Sequence, residues 1–457
     1  MKDPDTYVEA SAVAIGRAMA DGLLDPVAFT ECLLDRIGAQ TSPVFLKVTS
    51  QRALAEAKAA RARLRQGCPR SSLDGVPMAW KDLVDMAGEV TTAASDLLRD
   101  APAARDDAPI VAQAAAAGMV SLGKLNLTEF AYSGIGLNPH YGTPANPCAT
   151  DNPRAPGGSS SGSGVAVASG LAPIAIGTDT GGSVRVPAAF NGVTGYKTSE
   201  GRILSKGVFA LSPTLDTVGP LARTVEDCVL TDQILRGVTH TAVVHPVASD
   251  VSLFVPESVV LDDLEPEVAA NFDRSLKRLA ALGVQIGQGP VQEFEEAAQL
   301  ASEIGTITAA EAYAEHASRV DGPECARIDR RVVARIEIGK AMSAADLLHL
   351  QRARASAMQS LRDRLDGAFL VMPTTPHVAP EIAGLEADDA VFHTANLRTL
   401  RNTAIGNFLN LPGVAMPNGT GAAGMPTSFL ISACGGADDH LLGAALALEP
   451  AIRGDAV

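Results

Sequence analysis

Two Gly–Gly–Ser turns, at 157–159 and 181–183, set Ser159 and Ser183 24 positions apart. Glycine has no Cβ, so such a turn lets backbone N–H groups come close to whatever binds beside the serine. Thr180, Gly181, Gly182 and Ser183 could aim successive N–H groups at one oxygen, as stabilising a developing oxyanion requires. A serine nucleophile also needs a base to take its proton. No histidine lies in 155–197, the stretch holding both turns, and His140 before it reads as a loop hydrogen-bonding residue. Lys81, at the end of the apolar run VPMAW, is the alternative base, because burial favours the neutral amine. Taken alone, Lys81 reads more readily as a snorkelling surface lysine, and one Gly–Gly–Ser as an ordinary turn.

Rival chemistries fit less well. No lysine follows the glycines, so the phosphate-cradling GxxxxGK[ST] loop is missing. The eight histidines form no HExxH or other metal-ligand spacing, and no metal or cofactor is expected. A formal GxSxG runs from Gly158 to Gly162 with Ser160 at its centre, but a nucleophile elbow needs a strand before it. The preceding residues, CATDNPRAP, cannot be a core strand.

The elements that must position these residues follow from periodicity. Residues 7–66 read as helices, clearest at Leu54–Leu64, where Ala, Lys, Arg and Glu dominate. A short strand is expected around Val76–Trp80, a helix over Ala108–Gly118, and a strand in VSLGKLN. Residues 133–164 are rich in Gly, Pro, Asn and Ser and lack regular periodicity. Composition alone would make them a linker, but the apolar VAVASGLAPIAIG that follows reads as a buried helix and a buried strand of one core. Long irregular loops inside compact cores are usually functional, so the segment is read as an active-site loop. Further on come a helix at Thr224–Leu235, amphipathic helices at 265–283 and 343–366, and a buried strand in AFLVMPTTP at 368–376. The last 60 residues read as short apolar runs separated by Gly and Pro.

At 457 residues and 46% hydrophobic, the chain can bury a large core and is not a disordered protein. The formal net charge of −15 and the lack of a basic cluster exclude a nucleic-acid partner and favour a small molecule. The six cysteines are scattered with no CxxC pair, which argues against a disulfide framework. The N-terminus is acidic with no apolar h-region, and Val165–Ile176 is too short to span a bilayer. A cytoplasmic protein with no membrane association is expected.

The motifs together resemble the amidase signature hydrolases over nearly the whole chain. The resemblance is carried by LDGVPMAWKDLVD, GKLNLTEFAYSG, HYGTPANP, GGSSSGSG, GTDTGGSVRVPAAFNGVTGYK, FLVMPTTPHVAP and FLNLPGVAMP, in that order. It implies that Lys81 is the general base, that Ser159 relays the proton beside a non-proline cis peptide, and that Ser183 is the acyl nucleophile. It implies one α/β/α domain around a mixed, largely parallel sheet. Within the single domain 1–457 the expected parts are a helical segment 1–66, a catalytic core 67–235, and a helical insert with C-terminal strands at 236–457. Tyr132 and Arg185 join Thr180, Gly181 and Gly182 as candidate binding residues, although Arg185 reads more readily as structural. Thr178 and Asp179 are expected to shape the turn. The sequence departs from the family pattern at GYKTS (195–199) and GMPTSFLIS (424–432), segments that bear on the pocket rather than on the three catalytic candidates. The implied activity is hydrolysis of a small carboxamide to a carboxylate and ammonia or an amine. The alternatives are the A subunit of a glutamine-dependent aminoacyl-tRNA amidotransferase, or a non-catalytic scaffold that kept the fold. A homodimer is compatible with the reading.

Overall fold

The computed structural model describes residues 2–238 and 243–454. Met1, residues 239–242 and residues 455–457, which fall within the expected segments at either end, lie outside the described residues. Eleven strands form one sheet: β1 (Phe45–Val48), β2 (Pro77–Lys81), β3 (Val120–Leu125), β4 (Ile174–Asp179), β5 (Thr194–Lys197), β6 (Thr217–Ala222), β7 (Ser252–Pro256), β8 (Gln285–Gly289), β9 (Phe369–Pro373), β10 (Gly413–Thr420) and β11 (Pro426–Ser432). Their spatial order is β1-β3-β2-β4-β6-β5-β10-β11-β9-β7-β8.

The result is a single-domain α/β fold around a mixed sheet. The expectation that the sheet is largely parallel needs correction. Of its ten pairings, β3–β2, β2–β4, β9–β7 and β7–β8 are parallel and the other six are antiparallel. The reason is local for β10 and β11, which only a short turn joins; a tight turn can connect antiparallel neighbours, whereas a parallel pair needs a long crossover.

The centre of the sheet is where the chemistry-bearing segments converge. β2, β3 and β4 are buried at every residue, as expected of strands covered on both faces. β2 and β4 run parallel with Trp80 opposite Ile176, so their C-terminal ends emerge side by side. The helix Ser161–Ala168 packs on β4, and the helix Arg185–Asn191 packs on β5 and β10.

Most expected elements lie close to where the periodicity puts them, including helices Pro109–Ala116, Val225–Leu235, Pro266–Ala281 and Ala344–Leu365. Thr224 and Ser343 close capping boxes with Asp227 and Asp346, which fixes two of these starts. Two readings fail. β1 interrupts the segment 7–66, and the last 60 residues contain the end of helix Asp389–Phe408 and the whole of helix Asp438–Arg453. No helix among the described residues is long and apolar enough to cross a membrane.

Candidate active site

Lys81 is the last residue of β2, and Thr178 lies near the end of the neighbouring β4. The parallel register brings them together: Lys81 Nζ donates to Thr178 Oγ1 at 2.8 Å and to Ser159 Oγ at 2.7 Å. Lys81 is wholly buried, not a snorkelling surface residue. Burial pulls its ammonium down to about 7, against the upward pull of the Asp216 and Asp179 carboxylates. It can therefore be neutral near pH 7 and accept a proton.

Ser159 sits where the irregular loop meets the helix Ser161–Ala168, and the Gly158–Ser159 peptide bond is cis. Its hydroxyl is wholly buried. Ser160, the centre of the formal GxSxG, turns its hydroxyl toward the Thr178 carbonyl at 3.3 Å, as a buried helix-start residue does. The Ser160 N–H donates to the Ser183 carbonyl at 3.4 Å, which links the two Gly–Gly–Ser turns.

Ser183 lies in the turn between β4 and the helix Arg185–Asn191. Asp179 is the template of that turn. Its carboxylate accepts from the N–H groups of Gly182 (2.8 Å), Val184 (3.0 Å) and Arg185 (3.3 Å). It also accepts from Arg185 Nε (3.0 Å) and Nη2 (2.9 Å) and from Asn407 Nδ2 (2.9 Å). Burial pushes the Asp179 carboxyl up, but Arg185, Lys197 and Asn407 outweigh it and hold it well below the usual carboxylate range. Gly182 adopts φ +139°, and a Cβ there would stand 2.3 Å from Thr403 Oγ1, so only glycine fits.

This template corrects two expectations. The Gly182 N–H is committed to Asp179 and cannot serve an oxyanion. Gly181 and Ser183, by contrast, have N–H groups with no acceptor among the described residues. Arg185 is not a binding residue: it is wholly buried against Asp179 and Asn407 and does not line the cavity. Thr180 contributes its hydroxyl to Asp216 Oδ1 at 2.5 Å. The reading of Asp179 as a turn-shaping residue agrees with the geometry, whereas Thr178 does more than shape the turn, because it holds Lys81.

A cavity of about 280 Å³ opens beside Ser183, Gly181 and Thr180. Tyr132 forms part of its wall and is nearly buried. The remaining lining is mostly aliphatic, with Arg335 and Arg401 as its charged members. Three participants carry no signal in the sequence. Asp216 sits in an ordinary PTLDTVGP, Asn407 in a helix read as an apolar run, and Arg335 in the basic RRVVARIEIGK, which looks like a solvated helix face. Only knowing which segments meet in space could single them out.

The comparisons with known proteins agree with this architecture. The family model described as Amidase matches residues 28–442. The 2-amino-5-chloromuconic acid deaminase of Comamonas testosteroni is 35% identical over 410 residues, covering 88% of this chain and 87% of that protein. The A subunit of glutamyl-tRNA(Gln) amidotransferase from Pseudomonas entomophila (strain L48) is 34% identical over 446 residues, covering 89% of this chain and 90% of the relative. Among solved structures, a crystal structure of an amidase superposes with a TM-score of 0.85 at 28% identity, covering 96% of this chain and 99% of that one. With a family model spanning most of its length and these relatives along nearly all of it, the chain belongs to the amidase family of enzymes that hydrolyse C–N amide bonds.

Proposed function

We propose that this enzyme hydrolyses a small-molecule carboxamide through a Ser183–Ser159–Lys81 triad and an acyl-enzyme. Neutral Lys81 takes the Ser159 hydroxyl proton as Ser159 takes that of Ser183. Ser183 Oγ bonds to the amide carbon, and the carbonyl oxygen becomes an oxyanion facing the Gly181 and Ser183 N–H groups. The C–N bond breaks as the relay returns the proton to nitrogen, so ammonia or an amine leaves. Water then attacks the acyl-enzyme by the same relay and releases the carboxylate. The observation that carries this reading is the wholly buried Lys81, hydrogen-bonded to Ser159 and lowered to about 7.

The amidotransferase component is the second reading, favoured by the relative from Pseudomonas entomophila. A cavity without acidic lining residues among those described supports the free amidase instead, because the ammonium of glutamine would find no carboxylate there. The six cysteines are all free, which supports a reducing compartment such as the cytoplasm. The test is labelling with a fluorophosphonate followed by peptide mapping. One adduct on Ser183, absent in a folded Ser183→Ala variant that has also lost turnover, is expected; an adduct on Ser160 would overturn the assignment.

A further inference from the structure

The wall of the Ser183 cavity is held by a carboxylate that lies outside it. Tyr132 and Arg335, from distant parts of the chain, meet in that wall, with the Arg335 guanidinium carbon 4.5 Å from the centroid of the Tyr132 ring. Tyr132 follows the short turn Glu129–Ala131, and Arg335 lies in the helix Arg330–Lys340. Glu129 is wholly buried. Its carboxylate accepts from three segments: from Ser95 Oγ at 2.5 Å, from the Asp329 N–H at 2.6 Å and from His140 Nε2 at 3.1 Å. Asp329 is the N-cap of the helix that carries Arg335. Its own carboxylate accepts from the Arg331 N–H at 3.0 Å and clamps the Arg331 guanidinium at 2.8 Å.

A buried carboxylate is costly unless its oxygens are filled. Here they are filled by groups 34, 11 and 200 positions away, so Glu129 clips separate segments together rather than closing a local turn. The N–H it takes from Asp329 stands at a helix N-terminus, where the macrodipole favours negative charge. The segment it holds needs such a clip. Phe130 and Ala131 adopt φ +53° and +61°, the left-handed region that non-glycine residues occupy only where the surroundings enforce it. The preceding Thr128 donates its N–H to the Ser159 carbonyl at 3.0 Å, which anchors the clip to the catalytic loop. The other tie at the start of the helix, Arg330 to Asp389 at 2.7 Å, is solvent-exposed and therefore weak.

Resting on the amidase reading above, we infer that Glu129 is a positioning residue that determines specificity. Its carboxylate sets the register of the helix Arg330–Lys340 against the loop of Tyr132, and so fixes the stack that bounds the cavity and the amide bodies that fit beside Ser183. Glu129 does not line the cavity and does not touch the triad. It therefore governs binding of the substrate body and leaves the reactivity of Ser183 alone. Amides whose bodies fill the cavity depend on it, and the shortest do not.

The experiment compares ammonia release from hexanamide and from acetamide by the whole chain, with active sites counted by fluorophosphonate labelling. Glu129→Ala is expected to raise KM for hexanamide about 10-fold, with kcat and the labelling rate of Ser183 within about twofold of wild type. The hexanamide-to-acetamide ratio of kcat/KM should fall by about 10-fold with it. Glu129→Gln, whose carbonyl oxygen can still accept from Asp329, should keep that ratio within about threefold. In a Tyr132→Ala background, where the stack is gone, Glu129→Ala should change the ratio little, because both act through one contact. A merely structural Glu129 would lower yield and Tm but leave KM and the ratio of the folded fraction intact, which would overturn the assignment. Should Glu129→Ala not fold, Ser95→Ala, which removes one of the three donors, reads the same ratio with an expected shift of about threefold. Hydrogen exchange reads the clip without turnover: in Glu129→Ala, peptides over 129–135 and 329–336 should lose protection together. If they do so while the wild type hydrolyses no amide, the amidase reading falls and the clip stands. If amides are hydrolysed, the ratio is intact and protection is lost over 129–135 alone, the clip falls and the amidase reading stands.

Discussion

Thr180 Oγ1 donates to Asp216 Oδ1 at 2.5 Å, and this one contact ties the turn of Ser183 to the wall of the cavity. The second oxygen of Asp216 accepts from the N–H groups of Leu211 (2.9 Å) and Ser212 (3.1 Å), and Leu211 lines the cavity. Burial pushes the Asp216 carboxyl up to about 6, while the bonds from Thr180, Leu211 and Ser212 and the charge of Lys81 pull it back. Asp216 is thus a positioning residue that touches the chemistry through Thr180 and through its field at Lys81.

Removing either partner should therefore be felt at Ser183. Thr180→Val and Asp216→Asn are each expected to lower kcat by about 10-fold, the scale of one lost hydrogen bond to a charged group. The double variant should lose less than the product of the two, because both act through one contact. Asp216→Asn carries a second signature. Its carboxylate raises the Lys81 pKa, so neutralising it should move the acid limb of kcat/KM to lower pH, which Thr180→Val should not do. Independent, multiplicative losses with an unmoved acid limb would remove Asp216 from the site.

The proposed base, Lys81, makes a prediction about pH. Lys81, lowered by burial to about 7, is protonated and unable to accept a proton below that value. In the wild type kcat/KM should fall tenfold per unit on the acid side of about 7 and level off above it. Lys81→Ala should abolish turnover, and EDTA should leave the wild-type rate unchanged. A folded Lys81→Ala variant with robust activity, or a requirement for metal, would refute the relay.

Much of this site is legible in the sequence because its residues are local to conspicuous turns. The repeated Gly–Gly–Ser and the apolar approach to Lys81 announce themselves through glycine freedom and through a polar residue ending a buried run. What cannot be read is long-range. Asp216, Asn407 and Arg335 reach the site from segments separated by up to 228 positions from the Asp179 turn, and none carries a pattern of its own. Gly182 illustrates a subtler limit: its residue type fits an oxyanion turn, but Asp179 claims its N–H. The helix Asp389–Phe408 escapes a reading by periodicity because it is apolar on no consistent face. Its solvent side carries Val391, Leu397 and Ala404, while Asn396, Thr399, Asn402 and Asn407 are buried, so residue type does not sort by face.

Arg185, two residues after Ser183, should prove structural by experiment. Arg185 neutralises the buried Asp179 carboxylate, so Arg185→Met strands a charge inside the protein. The expected loss is about 3–5 kcal/mol of stability, read as a large fall in Tm or denaturation midpoint. The fraction that still folds should keep its relative rates on a panel of small carboxamides, because Arg185 does not line the cavity. A stable Arg185→Met protein whose relative rates on those amides had changed would return Arg185 to the binding site.

The last prediction concerns what the chain needs around it. A free amidase and an amidotransferase component can share one triad, so chemistry at Ser183 does not distinguish them. The amide they must hold does. Glutamine presents a carboxylate and an ammonium on the same carbon, and a site built for it should offer an acid as well as a base. Here the wall beside Ser183 offers Arg335 and Arg401 and, among the described residues, no acid, with Leu400 and Leu397 in its apolar surroundings. Desolvating an ammonium against that wall without a hydrogen-bonding partner would cost about 2 kcal/mol or more, roughly 30-fold or more in affinity. The isolated chain is therefore expected to release ammonia from small carboxamides with no partner protein, and to turn over glutamine at least an order of magnitude less well than an ammonium-free carboxamide. Steady-state ammonia release by the purified protein measures both. Cleavage confined to glutamine, and appearing only when a tRNA-binding partner protein is added, would make the amidotransferase reading the correct one.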